Sequence, residues 1–491
     1  MTVTRRELIV SSATVAGMAA LEQMGLVRLA AAQTAVAQDP AVWAKMTPEE
    51  LMAPQHSPDW PPAPPADTGP VAKPATAAAK ALYAKIGAAE WEELIHRLRQ
   101  LNVDMATNGF RPVKGIEGTY LTGYPNNEFY DWDLYFENIY LSYYGVWPWC
   151  FSNLKEFLNR QQPDGYISRS LINRRDRQHF KPFLAQLVVL GARQDGNDFA
   201  WLKGNYYDRL TKYLVKWFSY DGDGNGLPTW NSADAAGTDN QWSRAGALAS
   251  FEVEGVDLAS YLVRELRAMA VIATELGLKA DAAGFTKHAD ELGKTMNATF
   301  WDEKEGMYFD RNEKTGERVY VKSATSFGVL FAGVATPERA KRMVREHLMN
   351  PAEFWLKYPV ASYAKTEPDY YQGAHYDRGT HKECNWRGPT WAPTNYMIFQ
   401  GLRRYGYKAE AQELAARCFE MALEKNTALH EYYNAETGVG LGKDRFWGFT
   451  SLYYGMLLES VMGYDASSLE RPVRPIMTSE LGIKFPAVPK A

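Results

Sequence analysis

Only three cysteines and eight histidines occur in this chain of 491 residues, and no long run of lysine or arginine is present. Cys150, Cys384 and Cys418 are odd in number and lack a CxxC spacing, so neither a disulfide framework nor a zinc site is indicated. At most one bridge could form; buried free thiols are the simpler reading, because Cys150 and Cys418 lie in apolar surroundings. A formal net charge of -4 without a basic cluster offers no footprint for nucleic acid or an anionic membrane. Beyond the N-terminal region no segment reaches the roughly 18 uninterrupted apolar residues that a membrane span requires. The expected ligand is neutral or small.

What the chain does have is apolar and aromatic. Hydrophobic residues make up 46% and charged residues 23%, the balance of a soluble globular protein with a sizeable core. Aromatics account for 13%, with 15 Trp and 29 Tyr, and many fall in clusters whose flat faces could stack on sugar rings. Core packing accounts for most of them.

The first 37 residues read as an address. Arg5 and Arg6 precede a weakly apolar stretch ending at Ala35-Val36-Ala37, a small-x-small cleavage pattern, and the segment resembles a twin-arginine export signal. A frayed amphipathic helix is the alternative, since Glu22 and Arg28 interrupt the apolar run. The mature protein is therefore expected in the periplasm or medium. Residues 38–77, above all the Pro/Ala-rich stretch from 53, read as a polyproline-like linker. A folded domain is expected over 78–466, with a tail at 467–491.

Within that domain the apolar spacing is helical. Trp91, Leu94, Leu98 and Leu101 share one face of a helix expected over 78–102. Further helices are expected near 133–145, 150–160, 179–194, 201–218, 254–277, 280–299, 323–333, 336–348, 391–405, 408–425 and 447–463. Long polar and aromatic loops separate them at 104–131, 161–178, 220–250, 350–390 and 427–446. About twelve helices with the chemistry confined to alternate connections suggest six hairpins closing into a barrel whose loop end holds the site. A solenoid of helical pairs is the alternative, but no fixed-period repeat is present. Gly306, Gly316 and the alternation at Met307–Phe309 point to small β-hairpins between helices.

The loops carry the candidate chemistry. WNSADAAGTDNQW holds Asp234 and Asp239 between Trp230 and Trp242, and an acid near aromatic faces can have its pKa raised, as a general acid requires. Taken alone, Asp239 reads as a capping or turn residue. HEYYNAETG offers Glu431 and Glu436 as a second carboxylate to activate water, although on its own residues Glu431 reads as an ordinary polar loop residue. NWRGPTWAPTNY sets Trp386 and Trp391 about Arg387 and a Gly-Pro turn, a stiff aromatic platform with a forked donor. Trp132 and Asp133 open a helix, where Asp133 could hold a sugar hydroxyl or cap the helix. Asp221, Asp223 and Asn225 at alternate positions before Gly226 resemble the first half of a calcium loop. The twelfth position is Ser232 rather than Glu, so a further ligand would have to come from elsewhere; a hydrogen-bonded turn is the alternative, and any calcium would be structural.

In chain order YDWDLYF, QQPDGYISR, DGDGNGLPTW, AGTDNQW, EGVDLASYL, NWRGPTW, HEYYNAETG and FWGFTSLYY resemble glycoside hydrolase family 63 and its relatives. Those relatives include mannosylglycerate and glucosylglycerate hydrolases and, more distantly, family 37 trehalases. The resemblance runs from about 105 to 465. It implies an all-α (α/α)6 barrel and an inverting α-glycosidase with Asp239 as general acid and Glu431 as general base, without a required cofactor. It also implies that Trp132, Asp133, Gln162, Asp164, Trp386, Arg387, Trp391, Tyr433 and Trp447 lie about a small carbohydrate substrate. Two departures stand out: Ala235 and Ala236 replace the family's Glu-Ser, and FWGFTS is shuffled relative to Phe-Gly-Trp-Thr-Ser. Expected substrates are small α-glucosides or α-mannosides such as glucosylglycerate, mannosylglycerate or trehalose. The competing readings are an exported carbohydrate-binding protein that has lost hydrolysis, and a sugar epimerase or lyase on the same barrel.

Overall fold

The computed structural model describes residues 62–112, 119–123, 130–170, 178–245, 252–373 and 384–487. The export signal read over 1–37, and the linker as far as 61, lie outside these residues.

Two kinds of helix alternate along the chain. Asp131–Ser142 is buried at every position, and Leu184–Gln194, Val256–Glu275, Gly328–Ala332, Ala392–Arg404 and Leu452–Met462 are buried over most of their surface. A helix apolar on all sides belongs inside a protein. The others carry a stripe: Asn205–Phe218 buries Tyr207, Leu210, Thr211, Tyr213, Leu214 and Trp217, and Lys279–Thr299 buries only Phe285, Ala289, Leu292 and Met296. Each stripe follows the spacing of three or four that turns one helical face inward.

The six buried helices pack each on the next in chain order, and Leu452–Met462 returns to Asp131–Ser142. This closed inner ring is wrapped by Ala88–Asp104, Pro148–Asn159, Asn205–Phe218, Lys279–Thr299, the segment 337–348 and Lys408–Leu423. The result is the expected (α/α)6 barrel. Chain direction explains where function collects. Connections from an inner helix to the next outer one are short, as at 276–278 and 405–407, whereas those from outer to inner are long and deliver every motif to the N-terminal ends of the inner helices.

Several local features differ from the sequence expectation. The helix expected over 78–102 is two, Ala77–Ile86 and Ala88–Asp104, because Gly87 adopts φ 96° between them. The helix expected over 336–348 widens into a π-helix at Met343–Leu348. The loop 427–446 contains an antiparallel hairpin, His430–Tyr433 with Gly440–Asp444. A small sheet orders Thr229–Trp230, Val253–Glu254, Asp310–Asn312 and Arg318–Val319, tying two motif loops together.

The flanking segments are fastened to the barrel. Trp91 donates to the Ala72 carbonyl at 3.2 Å, His96 meets Asp67 at 3.0 Å, and Gln100 donates to Pro64, so residues 62–76 run along the outer helix. Past 466, the helix Ile476–Leu481 buries Ile476 and Met477, and the Met477 amide donates to Tyr143 at 2.8 Å. At the end opposite the motif loops, buried Glu459 accepts from Tyr143, Tyr396 and Gln400. Burial pushes its carboxyl up to about 7.

Candidate active site

The N-terminal end of the inner ring is walled by aromatic rings from three loops. Trp386 and Trp391 stack at 3.8 Å with planes 10° apart, Trp391 stacks on Tyr432 at 4.4 Å, and Trp132 lies 5.8 Å from Trp386. The Trp391 indole N–H donates to the Asn385 carbonyl at 2.8 Å, which fixes the ring in its own turn.

The loop carrying Asp239 is fastened to one end of this wall. A single helical turn, Ala233–Ala236, is capped by the Ser232 hydroxyl and stopped by Gly237 at φ 79°. A Cβ on Gly237 would lie 2.8 Å from Lys181 Cε and 3.0 Å from the Trp132 ring, so the loop needs glycine for both its conformation and its close approach. Beyond half-buried Asp239, Asn240 accepts from the Trp386 amide at 2.8 Å and donates to Asn385 at 3.1 Å. Gln241 donates to the Trp386 carbonyl at 2.6 Å. Ala235 and Ala236 are buried in the core, and the second carboxylate of this loop is Asp234, held by Arg169 and Gln178.

Glu431 stands at the other end of the wall. It is 4% exposed, beside Tyr432 on the hairpin strand; its Oε1 receives the Cys384 thiol at 3.5 Å and its Oε2 faces the Lys443 amide at 3.4 Å. Both acidic loops therefore converge on one short segment, 384–391. The loop of Asp239 and the strand of Glu431 are thus joined to the same aromatic segment, with the charge of Asp239 acting on Arg169.

A buried cation lies beneath. Lys181 and Asp131 are both 0% exposed and meet at 3.0 and 3.1 Å, with the Lys181 amide also donating to Asp131. The ammonium stands 5.1 Å from the Trp132 ring centre. Burial pulls Lys181 below its ordinary range and the nearby Arg169 adds to this, while Asp131 opposes both. Arg169 is itself raised: burial works against its charge, but Asp234, Asp131 and Asp239 outweigh it. Neither Lys181 nor Asp131 was singled out in the sequence, although a lysine inside the apolar run Phe180-Lys181-Pro182-Phe183 signals a buried partner.

The remaining expected residues divide. Asp133 is buried in the first turn of its helix, where a negative charge complements the helix dipole. Arg387 stands 5.8 Å over the Tyr371 ring. Tyr433 is employed behind the wall: its hydroxyl accepts from the His430 amide and its backbone pairs with Thr390. Buried Trp447 donates to the Thr122 carbonyl at 3.1 Å and so fastens two loops to each other. Gln162 is exposed, and Asp164 pairs with Lys216 at 2.9 Å and accepts the Tyr166 amide, which fastens that turn to the outer helix Asn205–Phe218.

At the calcium-like segment, Asp221, Asp223 and Glu313 bring carboxylate oxygens within 4.8 Å of one another. Glu313 approaches this pair from a separate loop. The Asn225 amide donates to Asp223 and Glu254, and its oxygen accepts the Leu227 amide. Asp221 accepts the Gly224, Asn225 and Gly226 amides, and Arg311 holds Asp223 at 2.8 Å. Burial raises both Asp221 and Glu313, with Asp223 adding to each.

Comparison with known proteins agrees with this architecture. The profile of the mannosylglycerate hydrolase MGH1-like glycoside hydrolase domain matches residues 132–450. A mannosylglycerate hydrolase from Rubrobacter radiotolerans is 30% identical over 212 residues, 43% of this chain and 45% of its own length. One from Thermus thermophilus is 34% identical over 157 residues, 31% of this chain and 34% of its own. The chain thus spans less than half of the length of these two relatives. Among solved structures, a family 63 mannosylglycerate hydrolase from Thermus thermophilus in complex with glucose superposes with a TM-score of 0.56 at 22% identity, covering 73% of this chain and 99% of that one. A neutral trehalase from Saccharomyces cerevisiae gives 0.54 at 19% identity, covering 74% and 79%. With the profile matched across most of the barrel and every motif loop from Trp132 to Thr450, the chain belongs to the mannosylglycerate hydrolase MGH1-like family of glycoside hydrolases.

Proposed function

We propose that this glycoside hydrolase cleaves a small α-glucoside or α-mannoside with inversion, Asp239 acting as general acid and Glu431 as general base. The observation that carries the reading is the convergence of both acidic loops on residues 384–391, with a continuous aromatic wall between them. A sugar ring bound at the edge of that wall, whose ring faces are occupied by one another, would present its glycosidic oxygen to Asp239 on one side and a water to Glu431 on the other. In an inverting hydrolase one carboxyl protonates the leaving oxygen while the other removes a proton from water on the opposite face. The Cys384 thiol and the Lys443 amide orient Glu431, and Asn240 and Gln241 hold the acid loop in register with the wall. Trp132 and Asp133 would meet hydroxyls of the same ring, and Arg387 those of the leaving group.

Mannosylglycerate, glucosylglycerate and trehalose head the substrate list, because the relatives are named for mannosylglycerate and trehalose. Kinetics separate the two carboxylates. Asp239→Asn should slow substrates with poor leaving groups more than activated aryl glycosides, while Glu431→Gln should slow both alike, each by on the order of a hundredfold or more. Near-normal rates in both variants would defeat the assignment.

Export is part of the same reading. The mature chain should begin near Gln38 outside the cytoplasm, and mass spectrometry finding residues 1–37 still attached to the exported protein would contradict it.

A further inference from the structure

The helix that presents Asp133 carries a second acid one turn on. Glu137 lies four residues further, so both carboxyls share one helical face. It is 2% exposed, and its carboxyl occupies a slot between two glycines. A Cβ on Gly123 would lie 1.9 Å from Glu137 Oε1 and 2.6 Å from the Gly448 Cα, and a Cβ on Gly448 would lie 3.1 Å from the same oxygen. The carboxyl thus fills the contact between residues 119–123 and the turn that holds Trp447.

Its surroundings do not suit a charge. The Gly123 amide donates to the carboxyl, but Oε1 has no hydrogen-bond partner among the described residues. Among those residues the titratable group acting on it is Asp133 on its own helix, while the other two walls contribute the Gly123 amide and Gly448. Burying an uncompensated carboxylate is costly enough that such a group keeps its proton. Burial, and then the charge of Asp133, accordingly push Glu137 well above the usual carboxylate range.

We propose that Glu137 is a positioning residue of the sugar subsite: its carboxyl, seated between Gly123 and Gly448, ties the Asp133 end of its helix to both loops. The inference rests on Asp133 contacting the substrate. An ionised Glu137 would draw solvent into that contact and shift the helix turn that presents Asp133 to sugar hydroxyls.

The test compares wild type, Glu137→Gln and Glu137→Ala as full mature chains on an aryl α-glycoside across pH. Wild-type KM should rise on the alkaline side. Glu137→Gln, whose amide mimics the neutral acid, should match wild type within about threefold at neutral pH and lose that alkaline rise, while Glu137→Ala should raise KM more than it lowers kcat. An independent reading comes from thermal unfolding: wild type should lose stability relative to Glu137→Gln as pH rises from acid to neutral. A tenfold loss of affinity in Glu137→Gln at neutral pH, or alkaline and stability profiles identical to wild type, would overturn the inference. Activity surviving in Asp239→Asn and Glu431→Gln would instead overturn the catalytic reading, so the two failures are distinguishable.

Discussion

Removing the charge of Lys181 should be among the most damaging single changes near the site. Lys181 and Asp131 are fully buried, and the two ammonium-carboxylate contacts at 3.0 and 3.1 Å are reinforced by the Lys181 amide. Lys181→Met keeps the bulk of the side chain but removes the hydrogen-bonded cation of the Asp131 carboxylate, which retains that backbone donor and the charge of Arg169. Breaking a buried pair from one side costs about 3–5 kcal/mol, whereas replacing both partners with neutral groups is often close to neutral. The double variant Asp131→Asn, Lys181→Met should therefore recover most of the loss. Thermal unfolding of the four proteins, with aryl glycoside kinetics on each, closes the cycle. Because Lys181 also touches Trp132 and the Gly237 turn, kcat should fall in the single variant and partly return in the double. Lys181→Met within about 1 kcal/mol of wild type, or a double variant worse than the sum of the singles, would mean that the pair does not hold this part of the barrel.

Gly442→Ala should lower activity more than stability: Gly442 has φ 67°, and a Cβ there would lie 2.8 Å from Glu431 Oε2 and 2.5 Å from the Tyr432 ring, so steady-state kinetics should show a kcat loss of roughly tenfold or more from displacing the base. Asp221, Asp223 and Glu313 should hold a structural calcium: millimolar calcium should raise Tm and Asp221→Asn should abolish the rise, whereas an unchanged Tm with and without chelator would leave the segment a hydrogen-bonded turn. Glu265 and Glu459 are each raised from 4.5 to about 7, chiefly by burial. The unfolded chain releases these protons first, so the stability they contribute is complete below pH about 4.5, falls between about 4.5 and 7, and levels off above. Denaturant midpoints measured across that window should decline.

The barrel was legible because its signal is periodic. Inner and outer helices differ in how much of their surface is apolar, and segments such as Lys279–Thr299 and Lys408–Leu423 lie within two residues of their expected limits. The hairpin His430–Tyr433 with Gly440–Asp444 was not, since four consecutive buried residues give no alternation to read. The site was legible where aromatic residues cluster in sequence, as at Trp386 and Trp391. It was illegible where two distant residues meet: Lys181 with Asp131, Cys384 with Glu431, and Glu313 with Asp221 are each joined by barrel closure rather than by local spacing. Trp447, Tyr433 and Asp164 each hold a loop in place through a polar atom, a role that sequence spacing alone does not show.

A single displacement with Asp239 and Glu431 on opposite faces of the sugar fixes the anomer first released. Proton NMR of the first product formed from an α-glycoside, recorded before mutarotation, should show the β anomer in wild type, with its formation crippled in both Asp239→Asn and Glu431→Gln. A first-formed α anomer would mean retention through a covalent intermediate and would contradict the single displacement.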